Sequence, residues 1–390
     1  MRALYVNHTS RISGGELSLL SLLKALPSSM QATVACPEGP LAHRLRGQGV
    51  DVALIRGTDG SLRLHPTRTA RALMEMGRAA MQVRKVAAAT RADLIHANSI
   101  RAGIIATGAA SASGRPTIVH VRDCLPSGRA SALSLRVIGR ADALIANSAY
   151  TRSTLGPGRD AAHVVHNAVD LARFEQVHLT PAEARLRLGL CKSRPVLAVI
   201  AQITPWKGQD DAIRIAADLI DVHPELQLLL VGSPKFTSDA TRYDNTAYFE
   251  SLRRQIIELG LTGSVHVLGE REDVPEILRA TDLLLVPSWE EPFGRTIIEA
   301  MASGVPVVAT NVGGPPEILD EGPCGLVLPP RQPQVWAKEI ERLLSDPVRL
   351  NTMCKRGQDA ARRRFCMERH VSEVLEVYES VLGVTAAVPA

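Results

Sequence analysis

Asp282-Leu283-Leu284-Leu285-Val286-Pro287-Ser288-Trp289-Glu290-Glu291-Pro292-Phe293-Gly294-Arg295-Thr296-Ile297-Ile298-Glu299-Ala300-Met301-Ala302-Ser303-Gly304 reads as a strand, a loop and a helix in direct succession. The run Asp282 to Val286 is short and almost wholly apolar, as a buried strand is, and Arg295 to Ser303 repeats its apolar residues at helical spacing until Gly304 stops it. Glu291 therefore lies before the helix start and Glu299 on its second or third turn. The amides of Phe293, Gly294 and Arg295 face an incoming anion there, because a helix start offers unpaired N–H groups and the positive end of its dipole to phosphate. Carboxylates beside such a start accept hydrogen bonds from sugar or ribose hydroxyls. Either glutamate alone reads equally well as a solvated charge at a helix end. The two together, around Pro292-Phe293-Gly294, predict a ligand carrying both phosphates and hydroxyls.

The same alternation extends outward along the whole chain. Candidate strands in the first half are Ala3 to Val6, Ala32 to Ala35, Val52 to Ile55, Asp93 to His96, Thr117 to Val121, Ala143 to Ala146 and Val164 to Val165. In the second half they are Val196 to Ile203, Leu226 to Val231, Val265 to Leu268, Leu283 to Val286, Val307 to Ala309 and Leu326 to Leu328. Strands alternating with helices imply parallel sheets with right-handed crossovers, so the chain reads as α/β, two doubly wound domains in tandem. A length of 390 residues also exceeds what one core usually supports. The expected division is a first domain over 1–175, a linker over 176–193 with a short helix from Ala182 to Leu188, and a second domain over 194–365. A final helix, about Glu368 to Leu382, and an Ala/Val/Pro-rich tail expected to fray from Val384 fill 366–390. Parallel sheets bind ligands at the carboxyl ends of their strands, so two facing domains would share a cleft. His8, His96, His120, Asn147 and Asn167 each close or follow a strand candidate of the first half. One such histidine is ordinarily structural; five polar positions of this kind favour a cleft wall.

Composition narrows the classes. Hydrophobic residues at 45% and charged residues at 22% describe a globular chain, and 3% aromatics leave little for aromatic cages or base-stacking platforms. The six cysteines form no Cys-x-x-Cys pair and no metal spacing with histidine, so reduced thiols, no metal and no resident cofactor are expected. The N-terminus lacks the apolar stretch of a secretion signal, and no run approaches the ~18 apolar residues of a spanning helix, which makes a cytoplasmic location the default. Residues 1–175 carry 22 Lys and Arg against 11 Asp and Glu, the remainder 23 against 29. Much of the positive charge falls on 63–91, where Arg63, Arg68, Arg71, Arg78, Arg84, Lys85 and Arg91 meet one acid, Glu75, with Leu73, Met74, Met76, Met81, Val83 and Val86 between them. Three readings stay open for this stretch: an amphipathic helix at an anionic inner membrane face, a basic wall for an acidic acceptor, or a solvated helical face. No recognition motif accompanies the charge, so nucleic acid is not expected as a partner.

Glu291 and Glu299, with the residues around them, resemble the Glu-x7-Glu motif of the retaining nucleotide-sugar glycosyltransferases of the two-domain GT-B fold, specifically glycosyltransferase family four. The resemblance implies Rossmann-like domains, an N-terminal acceptor domain, a C-terminal donor domain, and a last helix that crosses back to the first. It implies that Glu291 contacts sugar hydroxyls of the donor and that Glu299 holds the ribose. Ser13-Gly14-Gly15-Glu16 resembles the family's glycine loop over the donor diphosphate, while Lys207 in Thr204-Pro205-Trp206-Lys207-Gly208 offers a point cation to that diphosphate as it leaves. The family usually carries an arginine five residues before this lysine. Here that position is Gln202, a departure for which Lys207 and the helix amides suffice or for which Arg271 or Arg295 compensates. His120, in Val119-His120-Val121-Arg122-Asp123, matches the family's histidine near the transferred sugar, Gly269 to Asp273 resembles the loop that cups the donor base, and Gly232-Ser233 is expected to border the same cleft. Asp93 to Asn98, Asn147-Ser148 and His166 to Asp170 match recurrent positions that shape the cleft or hinge.

The implied reaction is transfer of a hexose-type sugar from a nucleotide diphospho-sugar, a UDP-sugar favoured, to an acceptor hydroxyl. The acceptor is unknown: a small natural product, or a lipid or polysaccharide intermediate. The absence of a nucleophile-base dyad and of an Asp-x-Asp motif agrees with a retaining, metal-independent route. A nucleotide-sugar epimerase or hydrolase would share the binding logic. An NAD-dependent oxidoreductase would need a Gly-x-Gly-x-x-Gly turn, which Ser13-Gly14-Gly15-Glu16 is not.

Overall fold

Thirteen strands among the described residues form two parallel sheets, and alternate side chains along the central strands enter different cores. The computed structural model describes residues 1–58, 66–111, 113–156, 161–190, 195–235, 243–320 and 322–383, with 66–72 as backbone only. The first sheet is built from β1 (Arg2–Val6), β2 (Gln31–Cys36), β3 (Asp51–Leu54), β4 (Leu94–Ala97), β5 (Thr117–Val121), β6 (Ala143–Ala146) and β7 (His163–Val164), in the order β3-β2-β1-β4-β5-β6-β7. The second contains β8 (Val196–Ile200), β9 (Gln227–Val231), β10 (Val265–Gly269), β11 (Leu283–Val286), β12 (Val307–Thr310) and β13 (Leu326–Leu328), in the order β10-β9-β8-β11-β12-β13. All thirteen fall on the candidates expected from sequence, and both orders are doubly wound.

The central strands are buried on both faces and read as continuous apolar runs for that reason. In β1, Leu4 and Val6 join one core while Ala3 and Tyr5 join the other; in β8, Val196, Ala198 and Ile200 part from Leu197 and Val199 in the same way. Edge strands β3 and β13 are only partly buried.

The chain divides into one unit of Met1–Ala168 with the segment from Met367, and a second of Val169–Cys366. The helix Met367–Leu382 belongs to the first unit, where Val371, Val374, Val377 and Tyr378 enter the core that holds Ala3 and Tyr5. The expected linker is not free chain. Its helix Pro181–Arg187 is capped by Thr180 and Glu183, and the buried Arg185 donates to Ala280 O (3.0 Å) and Asp282 Oδ2 (2.7 Å). Asp282 also accepts from the Val196 N–H (2.9 Å), so 176–190 are fastened to the starts of β8 and β11 within the second unit, which begins at Val169 rather than at 194.

In the basic stretch, Arg63 and the side chains of Arg68 and Arg71 lie outside the described residues, as do Cys191 and the tail from Val384. The helix Pro66–Ala89 turns Met76, Ala79, Val83 and Ala87 into the core and leaves Leu73, Met74 and Met81 exposed beside Arg78, Arg84 and Lys85. Arg56, Gly57, Met74, Glu75 and Arg78 line a groove of about 620 Å³ along it. Among the described residues no helix is long and apolar enough to cross a membrane.

Candidate functional site

Strand order reverses between β8 and β11, so the loops leaving these two strands are neighbours, which is where doubly wound sheets place ligands. They are clamped together. The Trp289 N–H donates to Trp206 O (2.8 Å), and Gly208, at φ +70°, passes so close that a Cβ would lie 2.2 Å from Pro287 O. That approach brings Lys207 Nζ to 2.5 Å from Glu291 Oε2, with the ammonium 4.0 Å from the Trp206 ring centroid. Ser288 Oγ donates to the same carboxylate oxygen (3.1 Å). The sequence brings forward a third strap: the Glu291 N–H donates to Val312 O (3.2 Å), the Gly314 N–H donates to Glu291 O (2.8 Å), and a Cβ on Gly313 would lie 2.0 Å from that carbonyl. Sequence reasoning missed Gly313 and Gly314, although a glycine pair just past a strand is the signal it used at Gly14-Gly15.

The helix Arg295–Ala302 follows Gly294, whose φ of +97° is costly for other residues. One turn in, Arg295 Nη2 donates to Glu299 Oε1 (3.0 Å). Burial pushes the Glu299 carboxyl above its usual range, and Arg295 and Arg173 oppose that shift. Phe293 is 2% exposed and stands edge-on to Phe365, so its ring serves the core; a ligand role is left to its backbone beside the partly exposed Pro292. Around the neighbouring loops, the Gly232 N–H donates to Gly269 O (2.7 Å), Ser233 Oγ to Glu270 (3.2 Å), and Lys235 Nζ to Glu270 (2.6 Å). Gln202 lies on the rim, its carbonyl accepting from Gln209 Nε2 (2.8 Å). Neither arginine considered as a replacement cation for position 202 stands uncommitted. Arg271 forks onto Asp273 (2.8 and 2.6 Å), and Arg295 holds Glu299.

The first sheet reverses between β1 and β4, and its loops meet in the same manner but with neutral groups. Asn98 Nδ2 donates to Asn7 Oδ1 (3.0 Å) and to Gly15 O (3.2 Å), and Ser99 Oγ meets His8 Nδ1 (3.0 Å). Gly14 and Gly15 are the first turn of the helix Gly14–Ala25 rather than a loop preceding it, because the Glu16 carboxylate folds back onto the Ser13 N–H (3.0 Å) and starts the helix early. Further along the sheet, Arg122 reaches Asn98, Asn167 and His120, and Asn147 Nδ2 donates to Arg122 O (3.0 Å). His120 is wholly enclosed, between His96 and His370. Burial and the Arg122 charge hold it well below the usual histidine range. Behind it, the Tyr378 hydroxyl meets His96 Nδ1 (2.7 Å) and the Tyr5 hydroxyl (3.0 Å), and His370 Nδ1 donates to His166 O (2.6 Å). Sequence reasoning passed over Arg122, Tyr5, His370 and Tyr378. The available signal was His370 and Tyr378 two four-residue steps apart, polar groups on a helix face otherwise apolar through Val371, Val374 and Val377.

Residues 12–173 match the family model for Glycosyltransferase Family 4, and residues 182–364 that for glycosyl transferases group 1. A D-inositol 3-phosphate glycosyltransferase of Salinispora arenicola is 34% identical over 321 residues, 75% of this chain and 69% of the relative. This chain belongs to glycosyltransferase family four. A second relative of the same name, from Nocardia farcinica, is 34% identical over 63% of this chain, the match spanning only 54% of its own length. Among solved structures, Anabaena HepE in complex with UDP-glucose superposes on this glycosyltransferase with a TM-score of 0.84 at 27% identity, covering 97% of this chain and all of that one. Sucrose-phosphate synthase from Thermosynechococcus elongatus, 20% identical, shares the fold with a TM-score of 0.78 over 98% of this chain and all of that one. The group 1 match contains Lys207, Glu291 and Glu299; the family 4 match contains Gly14, Gly15, His120 and Arg122.

Proposed function

We propose that this glycosyltransferase moves a hexose-type sugar from a nucleotide diphospho-sugar, a UDP-sugar by preference, to an acceptor hydroxyl with retention of anomeric configuration and without a metal ion. The reading is carried by the Lys207–Glu291 contact at the β8/β11 switch point, beside the helix that presents Glu299. Lys207 neutralises the diphosphate as the anomeric C–O bond breaks, Glu291 accepts from sugar hydroxyls, and Glu299 accepts from the ribose. Gly232, Ser233 and Arg271 border the base, and Gly294 and Arg295 offer amides to phosphate. The acceptor oxygen bonds the anomeric carbon from the face the diphosphate leaves, and its proton passes to a phosphate oxygen of the leaving nucleotide. No protein nucleophile enters that scheme. In the first unit, the Gly14-Gly15 turn serves the diphosphate and His120 the transferred sugar. Complexes of Anabaena HepE with UDP and with UDP-glucose support the choice of base.

The names of the curated relatives support a phosphorylated, hydroxyl-rich acceptor, and the Arg56 and Arg78 groove offers positive charge for one. The outward face of Pro66–Ala89, with Met74 and Met81 among Arg78, Arg84 and Lys85, equally suits contact with an anionic membrane that presents a lipid acceptor. Salt-sensitive binding to anionic vesicles, lost on neutralising Arg78, Arg84 and Lys85, supports the lipid acceptor; indifference to vesicles supports the small molecule.

Calorimetry of UDP, GDP, ADP and their sugars against wild type and Glu299→Ala tests the donor assignment. Selective binding of one nucleotide, lost in the variant, is expected; equal binding by both proteins removes Glu299 from the site. The anomeric configuration of the product, and turnover in EDTA, test retention and metal independence. Rapid consumption of the sugar nucleotide without any acceptor would favour an epimerase or hydrolase instead.

A further inference from the structure

His120 and the Gly14-Gly15 turn are joined through a single buried side chain. Arg122 leaves the end of β5, is 8% exposed, and spreads its guanidinium over three acceptors: Nε donates to Asn98 Oδ1 (3.1 Å), Nη1 to Asn167 Oδ1 (2.5 Å), and Nη2 to His120 Nδ1 (3.2 Å). A guanidinium only donates, so Nδ1 of His120 accepts and the one proton of its neutral ring sits on Nε2. That Nε2 atom is buried and meets no acceptor among the described residues, so the ring holds a donor in reserve. Asn98, another of the three acceptors, passes its own amide hydrogens to Asn7 Oδ1 and to Gly15 O. Asn7 Nδ2 continues to Glu16 Oε1 (3.1 Å), the carboxylate that starts the glycine turn.

We propose that Arg122 is a positioning residue for sugar transfer, which fixes His120 as the Nε2–H tautomer and ties the same ring to the Gly15 carbonyl through Asn98. The inference rests on the reading of His120 as the residue that serves the transferred sugar. The titratable and charged groups facing His120 are Arg122 from its own strand end, His96 from β4 and His370 from the C-terminal helix, with Tyr5 and Tyr378 behind His96. All three direct neighbours oppose a proton on His120, the histidines when they are themselves charged, so the ring stays a neutral donor through the working pH range.

The test combines histidine side-chain nitrogen NMR with pH–rate profiles on wild type, Arg122→Leu, Arg122→Lys, Asn98→Ala and His120→Gln. Wild-type His120 is expected as Nε2–H, without titration between about pH 5.5 and 8. In Arg122→Leu the ring is expected to titrate and to mix tautomers, kcat to fall about tenfold or more with little change in donor KM, and an acid limb to enter the rate profile. Arg122→Lys, which keeps the charge, is expected to restore the flat profile at reduced kcat. A merely structural role would lower kcat with stability and add no limb. An Nδ1–H ring in the wild type, or a folded Arg122→Leu with unchanged tautomer and profile, overturns the proposal. If Arg122→Leu does not fold, Asn98→Ala decides: a kcat loss without a stability loss supports the coupling to Gly15, and unchanged kcat overturns it. Wild-type turnover by His120→Gln would instead remove the reading of His120, while the NMR result still reports what Arg122 does to the ring.

Discussion

The two switch points of this glycosyltransferase share a topology and differ in their electrostatics. At β8/β11 the neighbouring loops meet through an ion pair, Lys207 with Glu291, and the following helix carries a second, Arg295 with Glu299. At β1/β4 they meet through amides and imidazole, Asn7 with Asn98 and Ser99 with His8, backed by a fully buried ring at His120. Ion pairs whose cations keep some exposure, 16% for the Lys207 side chain and 19% for Arg295, suit a site proposed to exchange its partners for a diphosphate and for hydroxyls. A buried network of amides and neutral imidazoles around the Arg122 guanidinium suits one whose groups must hold a fixed orientation, because its hydrogen bonds are costly to leave unmade. The comparison teaches that the second unit's switch point is built on ion pairs and the first unit's on imidazoles that burial keeps neutral.

Removing charge from the second unit is the most severe way to test this contrast. Lys207→Ala is expected to lower kcat/KM by roughly 10²- to 10³-fold, the loss found when one transition-state charge partner is deleted. Glu291→Gln is expected to lose turnover more than nucleotide affinity, and steady-state kinetics with calorimetry separate the two. Equal kinetics for Lys207→Ala and wild type would remove the charge-based account. The frame that holds the pair is the next target. Gly208→Ala puts a Cβ 2.2 Å from Pro287 O at a positive φ, and a loss of about 1–3 kcal/mol in thermal or denaturant unfolding is expected. An unchanged midpoint would show that the two loops are not rigidly clamped.

The sequence foretold more of the second site than of the first, and the reason is physical. Glu291, Glu299 and Lys207 are charged residues within short motifs at strand-to-helix junctions, so local spacing alone places them. Arg122, Tyr5, His96, His370 and Tyr378 come from β1, β4, β5 and the last helix, and Tyr378 bonds a residue 373 positions away. No local pattern encodes such a meeting; only the sheet order and the return of the C-terminal helix bring it about. The same limit applies to Gly313, whose need for a missing Cβ exists only because Glu291 O lies against it. The central strands were legible because burial on both faces writes an apolar run into each one. The division between units was not, since Arg185 turns an unremarkable polar stretch into a packed part of the second unit.

Acid should separate the units next. Burial, with Arg101, holds His8 at about 3; burial, with Arg122 and His370, holds His96 at about 3; burial and Arg122 hold His370 at about 4 and His120 well below its usual range. In the second unit burial lowers His266. A histidine whose folded value is depressed takes up its proton on unfolding, so its contribution is intact above the unfolded value near 6.5 and is lost as pH falls toward 4. Each costs up to about 1.4 kcal/mol per pH unit in that window. Hydrogen exchange between pH 7 and 5 is therefore expected to loosen β4, β5 and Met367–Leu382 before β8 and β11. Uniform loosening would mean that the buried histidines do not set the acid stability of the first unit.

The smallest effect probes the back of that network. Tyr378→Phe keeps the ring in its core and removes the hydroxyl that meets His96 Nδ1 and Tyr5. Because both former partners stay buried, the expected cost is about 1–3 kcal/mol, read from unfolding of the first unit, with His96 free to take the other tautomer. His96 lies between Tyr378 and His120, so any effect on catalysis must pass through two rings in contact but not hydrogen-bonded to one another. A change in kcat much smaller than that of Arg122→Leu is therefore expected. Were Tyr378→Phe to reproduce the acid limb expected of Arg122→Leu, the C-terminal helix rather than the guanidinium would govern the protonation state of His120, and the contrast between the units would rest on how that helix docks.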